Sequence, residues 1–173
     1  DQALMRAAPT QPYLACFSML PFCSRIHEGR FKFAGQDVEL ARNFLPEPHT
    51  IHGFGWQAHW HLHSRSETAC TLKFHHDQSV GEATGWPWLF SAEQRFELVE
   101  QGLLVTVTLE NQSDGVMPAG MGLHPYFPLT EATAEDENGT TITLLCNARV
   151  QMRKAFLPQA IGLSVGRAIN VLA

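Results

Sequence analysis

The side chains best suited to proton chemistry lie in one short run, Gly122-Leu123-His124-Pro125-Tyr126-Phe127. Histidine has the ordinary pKa nearest neutrality, so it gives or takes a proton without a special environment. A proline follows His124, and proline disfavours helical backbone in the residue before it. His124 is therefore expected at a strand end, with its ring projecting. The glycine-rich approach Ala119-Gly120-Met121-Gly122 lets backbone or a ligand come close. The two aromatics that follow suit the apolar face of a sugar.

Further candidates are scattered along the chain. His52 sits in Thr50-Ile51-His52-Gly53-Phe54-Gly55-Trp56, where glycines flank Phe54 and permit a tight turn at a strand end. Beside Trp56 it is a pocket candidate. Arg25, in Leu20-Pro21-Phe22-Cys23-Ser24-Arg25-Ile26, carries five donors that suit hydroxyls or a carboxylate, or else a surface ion pair. His59, His61 and His63 stand at i, i+2 and i+4, which is one face of a strand. That spacing suits a solvent face better than zinc, since a fourth ligand is missing. Trp86-Pro87-Trp88 reads as a stacking wall or as an edge of the core. Glu93 reads as an ion-pair partner of Arg95 or of a cross-strand base. The acidic loop from Glu131 to Gly139 reads as solvated surface. No phosphate-cradling glycine loop, nucleophile elbow or paired-carboxylate spacing is present.

The elements that must position these residues are strands. Phe31 and Phe33 alternate with Arg30 and Lys32, and a turn from Ala34 to Asp37 leads to Val38 and Leu40. Ala58, Trp60 and Leu62 alternate with the three histidines. Cys70, Leu72 and Phe74 alternate with Thr71, Lys73 and His75. Phe96 and Leu98 lead to a turn at Glu100-Gln101-Gly102, then Val105, Val107 and Leu109 alternate with Thr106, Thr108 and Glu110. Ile142 and Leu144 suggest one more strand. This period of two, repeated at short spacing with no long amphipathic helix, predicts an antiparallel all-β sandwich or barrel. Parallel βαβ architecture is disfavoured because crossover helices are missing.

Composition bounds the rest. The chain has 173 residues, the size of one ordinary domain, with 45% hydrophobic and 17% charged residues. Its net charge of −5 and lack of a basic stripe argue against nucleic acid. No apolar run approaches the roughly 20 residues of a membrane span. Cys16, Cys23, Cys70 and Cys146 form no CxxC pair, so free thiols in a reducing compartment, the cytoplasm, are the simplest reading.

Taken together, these segments resemble the aldose 1-epimerase (galactose mutarotase) family, its bacterial members above all. Ala15 to Ile26 is similar to the family's segment ending in Asn-Arg-Ile, and Gly29 to Phe33 continues it as a strand. Ile51-His52-Gly53 resembles the His-Gly element, with Trp60 after it. Gly85-Trp86-Pro87-Trp88 and Ala92-Glu93-Gln94-Arg95-Phe96 follow in order. Met117 to Phe127 is the strongest match, and a fainter tail runs to Leu157-Pro158.

The resemblance implies one large antiparallel β-sandwich domain, partial here over residues 1–173, with the sugar site in a cleft across one sheet. It implies an isomerase that interconverts the α and β anomers of an aldohexose such as galactose or glucose. No cofactor and no metal are implied, and the assembly is a monomer or homodimer. Carried over by position, His124 matches the general acid on the ring oxygen. His52 matches a second active-site histidine near the anomeric centre, and Arg25 a sugar-binding arginine. Ser24 stands where the family usually has asparagine. The family's glutamate base and a sugar-binding aspartate are expected beyond Ala173, so the sequence reads as an internal fragment. A non-catalytic carbohydrate-binding relative and a hexose-6-phosphate 1-epimerase are the alternatives, the latter needing extra cations at the pocket rim.

Overall fold

The computed structural model describes residues 16–126. Expectations that fall on Ala15, Phe127, the acidic loop, the strand at Ile142, Cys146 and Leu157-Pro158 lie outside the described residues. Within them the strands are β1 (Cys16–Met19), β2 (Arg25–Ile26), β3 (Arg30–Phe33), β4 (Gln36–Glu39), β5 (Thr50–Ile51), β6 (His61–Arg65), β7 (Ala69–His76), β8 (Phe90–Val99), β9 (Gly102–Asn111) and β10 (Gly122–Pro125). One short helix, α1 (Gln78–Thr84), joins β7 to β8, and a 3-10 turn at His27–Gly29 joins β2 to β3. All the strand ladders are antiparallel, as the alternation predicts.

The largest sheet runs in the order β6-β7-β8-β9. Phe74 pairs with Ala92, which pairs with Leu109, and Leu72, Gln94 and Val107 form the next row. Side chains alternate between faces along a strand, so these rows share one face. Against it pack the β3–β4 hairpin and the Leu20 and Phe54 segments, in a core of Leu20, Val38, Leu40, Phe54, Phe74, Trp86, Trp88, Phe90 and Ala92. Fully burying a large apolar side chain stabilises by roughly 1.5–3 kcal/mol. The opposite face carries Lys73, His75, Ser91, Glu93, Thr108 and Glu110, the polar half of the same alternation.

Three sequence readings are settled by this packing. Trp86 and Trp88 are 2% and 8% exposed, so they belong to the core and form no open wall. Glu93 pairs with the cross-strand Lys73, 3.5 Å between Nζ and Oε2, whereas Arg95 pairs with Glu97. The three histidines do not share one regular face. β6 begins only at His61, and its register with β7 shifts between Leu62 and Ser64, so the strand is irregular at His63. All three are exposed, and no group of three metal-ligating side chains exists among the described residues.

Local chemistry explains the connections. The β3–β4 loop is two residues, Ala34 and Gly35, both at positive φ (49° and 80°), and Gln36 and Asp37 already belong to β4. Such two-residue loops match the twist of the flanking strands. Helix α1 was not apparent from periodicity because it is a short polar segment. Its ends are nevertheless marked: the Asp77 side chain accepts from the Val80 N–H at 3.0 Å, and Gly85 closes it at φ 77°.

Candidate functional site

Two small ladders bring the distant candidate residues together. In the first, β1 lies beside β10 with Phe17 opposite His124 and Met19 opposite Gly122. Gly122 leaves room there: a Cβ would stand 2.9 Å from both Cys23 Sγ and Met19 Cε, so those side chains would have to shift. The close approach anticipated for the glycine-rich run is thus made by the protein's own side chains. His124 extends from β10 as the following proline predicts. Its ring stacks on Phe17, with centroids 4.7 Å apart and planes at 18°, and Tyr126 lies 4.9 Å away. His124 Nδ1 is buried without a hydrogen-bond partner, and such an atom is costly until something bonds it.

In the second ladder, β2 pairs with β5, Arg25 opposite Ile51. His52 follows at once and adopts φ 58°, a left-handed backbone that costs an ordinary L residue roughly 1–2 kcal/mol. Ser24, on the facing strand end, adopts φ 66°. The two residues bond reciprocally. The His52 N–H donates to Ser24 O at 2.8 Å, and the Ser24 N–H donates to His52 Nδ1 at 3.2 Å. An Nδ1 that accepts carries a lone pair, so in neutral His52 the proton sits on Nε2. The His52 ring then meets His124 edge to face, centroids 5.4 Å apart at 77°. Phe17 contacts both rings and also Trp56, at 5.5 Å.

Arg25 stands beside this pair. Its Nε lies 3.3 Å from Glu47 Oε2, with the two side chains 32% and 21% exposed. Arg25 thus makes the ion pair that the sequence allowed, at the margin of the two histidines. Burial, then the His124 ring, then the Arg25 charge push the His52 pKa down to about 4. Each opposes a second positive charge in a poorly solvated place. His52 is neutral at pH 7, a fixed Nε2–H donor.

The structure thus brings His124, His52 and Arg25 into one neighbourhood on separate elements. Sequence reading missed Phe17 and Glu47 as members of it, whereas Tyr126, one of the two aromatics that follow His124, lies where that run suggested. The only signal for Phe17 was its place in the strand before Pro21; Glu47, between two prolines, carried none. Chemically, the arrangement offers one neutral imidazole as a fixed donor, a second imidazole for proton transfer, a guanidinium, and an aromatic wall.

Comparison with known proteins agrees with this frame. A family model described as aldose 1-epimerase matches residues 3–160. The chain is 33% identical over 119 residues to YphB of Escherichia coli K12, covering 69% of this chain and 39% of that protein. It is 25% identical over 141 residues to YihR of the same organism, covering 73% and 44%. Both relatives are uncharacterised, and the chain spans less than half the length of either. Among solved structures, an Escherichia coli K12 protein provisionally described as an aldose 1-epimerase superposes with a TM-score of 0.66 at 29% identity, over 83% of this chain and 45% of that one. A galactose mutarotase-like protein from Clostridium acetobutylicum gives 0.66 at 18% identity, over 90% and 46%, a likeness of fold. The antiparallel strands are thus those of a galactose mutarotase-like β-sandwich. With the family model covering nearly the whole sequence and the strand frame shared with solved relatives, the chain belongs to the aldose 1-epimerase family.

Proposed function

We propose that the protein of which this chain is part interconverts the α and β anomers of an aldohexose. One observation carries the reading. Two histidines from different ladders meet 5.4 Å apart, one neutral with a fixed tautomer and the other with a buried ring nitrogen left unbonded. Anomerisation needs a proton delivered to the ring oxygen as its bond to C1 breaks, and one removed from the C1 hydroxyl. The resulting open-chain aldehyde rotates about C1–C2 and closes on the other face. In this reading His124 gives the proton to the ring oxygen. His52, neutral, donates from Nε2 to an oxygen near C1, and Arg25 holds a hydroxyl. Phe17 and Trp56 offer apolar faces to the pyranose. The C1 proton goes to a base other than His124, close to C1. The described residues are proposed as part of the single sandwich domain that would hold it. Free thiols at Cys16, Cys23 and Cys70 support the cytoplasm as the compartment.

Polarimetry of freshly dissolved α-glucose or α-galactose tests the reading. The full-length protein should accelerate equilibration, and His124→Ala should reduce that rate by about 10²–10⁴-fold, the usual worth of a positioned proton donor. The buffer rate on a panel of aldoses would sink it. Sugar-dependent quenching of tryptophan fluorescence without turnover would instead indicate a binding protein, and turnover confined to hexose 6-phosphates the phosphosugar epimerase.

A further inference from the structure

His52 holds a backbone conformation that its side chain does not favour, and one residue outside the two ladders touches the chain on both sides of it. The Asn43 side chain donates from Nδ2 to Ile51 O at 2.7 Å and to Gly53 O at 2.7 Å. Its Oδ1 accepts from the Ile51 N–H at 2.9 Å. Both amide hydrogens and the amide oxygen are therefore spent on the residues immediately before and after His52. Asn43 is itself held: Gln57 Nε2 donates to its backbone carbonyl at 2.6 Å.

We infer that Asn43 is a positioning residue for His52, a three-bond clamp that fixes the left-handed turn and so the direction of the imidazole. The inference rests on the anomer-interconverting reading of the site for its catalytic consequence, though not for the clamp itself. The chemistry selects asparagine. Two carbonyls and one N–H must be met from a single short side chain, and only a carboxamide presents two donors and an acceptor together. Aspartate has the same shape and keeps the acceptor for the Ile51 N–H, but the oxygen in place of Nδ2 would face two carbonyls with no hydrogen to offer. Glutamine places the amide one bond further out. The clamp also divides labour with Ser24. Ser24 fixes the ring through Nδ1, and Asn43 fixes the backbone from which the ring departs. Buried hydrogen-bond networks of this kind specify one conformation when every member is satisfied. Asn43 touches no reacting atom in this arrangement. Its effect passes through His52, whose ring faces His124, Phe17 and the charge of Arg25.

The test reads the His52 ring directly, by two-bond ¹H–¹⁵N correlation in the full-length protein, alongside polarimetry. Wild type should show His52 as the Nε2–H tautomer, titrating near 4. Asn43→Asp should mix the tautomers and move the titration up towards the ordinary histidine value. Its kcat should fall by ~10- to 100-fold, the scale expected when a catalytic group is misplaced by about an ångström, with KM changed far less. A folded Asn43→Asp protein with the wild-type tautomer and titration overturns the inference. If that variant does not fold, wild type still decides: the Asn43 carboxamide hydrogens should exchange with solvent much more slowly than those of exposed Gln101, and equal rates overturn the clamp. If wild type shows no mutarotation but His52 responds as described, the catalytic reading fails and the clamp stands.

Discussion

The rings of His52 and His124 meet edge to face at 5.4 Å, although the whole four-stranded sheet lies between them in the chain. Neither ladder alone makes this contact. β2–β5 delivers His52 with Arg25, β1–β10 delivers His124 with Phe17, and Phe17 touches both imidazoles. The ring with the fixed tautomer is the neutral one, its pKa lowered by burial and by the neighbouring His124.

That arrangement makes stability depend on pH in a predictable direction. The His52 pKa is pushed down to about 4, chiefly by burial. His76 is lowered too, again first by burial, although its Nδ1 donates to Trp88 O at 3.1 Å. For both, the unfolded chain binds protons at a higher pH than the folded one. Their contribution to stability is therefore complete above about 6.5, the ordinary histidine pKa; for His52 it is lost as pH falls towards 4, and His76 adds a loss in the same direction. The slope is at most about 1.4 kcal/mol per pH unit per group, less for a partly exposed ring. Urea unfolding at pH 7.5 and pH 5 should show the loss. His52→Asn, which keeps a left-handed backbone accessible, should show a smaller one; equal losses would contradict the assignment to His52.

The Arg25–Glu47 pair is partly exposed, so its direct worth is about 0.5–1 kcal/mol. Its larger effect is to hold the guanidinium beside the site. Glu47→Gln should lower the melting temperature only slightly, while KM for the sugar rises several-fold with kcat nearly unchanged. A fall in kcat with KM constant would place Glu47 in the chemistry instead.

Glycines at positive φ differ sharply in what surrounds them. Gly53, at φ 66°, packs its Cα face against Leu20 O and Pro21 N, while Gly35, at φ 80°, has nothing near it. Gly53→Ala should destabilise by ~3 kcal/mol or more, combining left-handed strain with a backbone clash, and should disturb the neighbouring His52. Gly35→Ala should cost only about 1 kcal/mol, the conformational part alone. Chemical denaturation of the two variants separates the contributions; equal costs would rule out the clash.

How much of this was legible in the sequence follows from which forces leave a local trace. The alternation of Cys70, Leu72 and Phe74, and of Val105, Val107 and Leu109, displays the buried face directly, because strand geometry turns burial into a period of two. His124 announces its extended backbone through Pro125. His52, Arg25 and His124 stood out as candidates, but their meeting did not, since ladder pairing between remote segments leaves no periodic mark. The left-handed turn at His52 was hidden for a similar reason. Histidine does not advertise positive φ, and the asparagine that holds it comes from a separate loop. Trp86 and Trp88 were ambiguous because aromatics serve both walls and cores. The three histidines lie exposed, as a solvent face predicts, but a local irregularity at His63 breaks the single face that their spacing implies.

Ser24 gives the last prediction. It adopts φ 66°, a region that disfavours β-carbon-bearing residues but is least costly for asparagine and glycine, and the family resemblance places asparagine at this position. Its backbone makes both bonds to His52, the N–H to Nδ1 and the carbonyl to the His52 N–H, so a side-chain change leaves them in place. Ser24→Asn should therefore recover part of the roughly 1–2 kcal/mol left-handed cost, worth a few degrees in melting temperature, set against what the serine's own interactions contribute. The His52 tautomer should be unchanged, since the backbone donor is the same. A lower melting temperature in Ser24→Asn would mean that the serine side chain contributes more than the strain it carries.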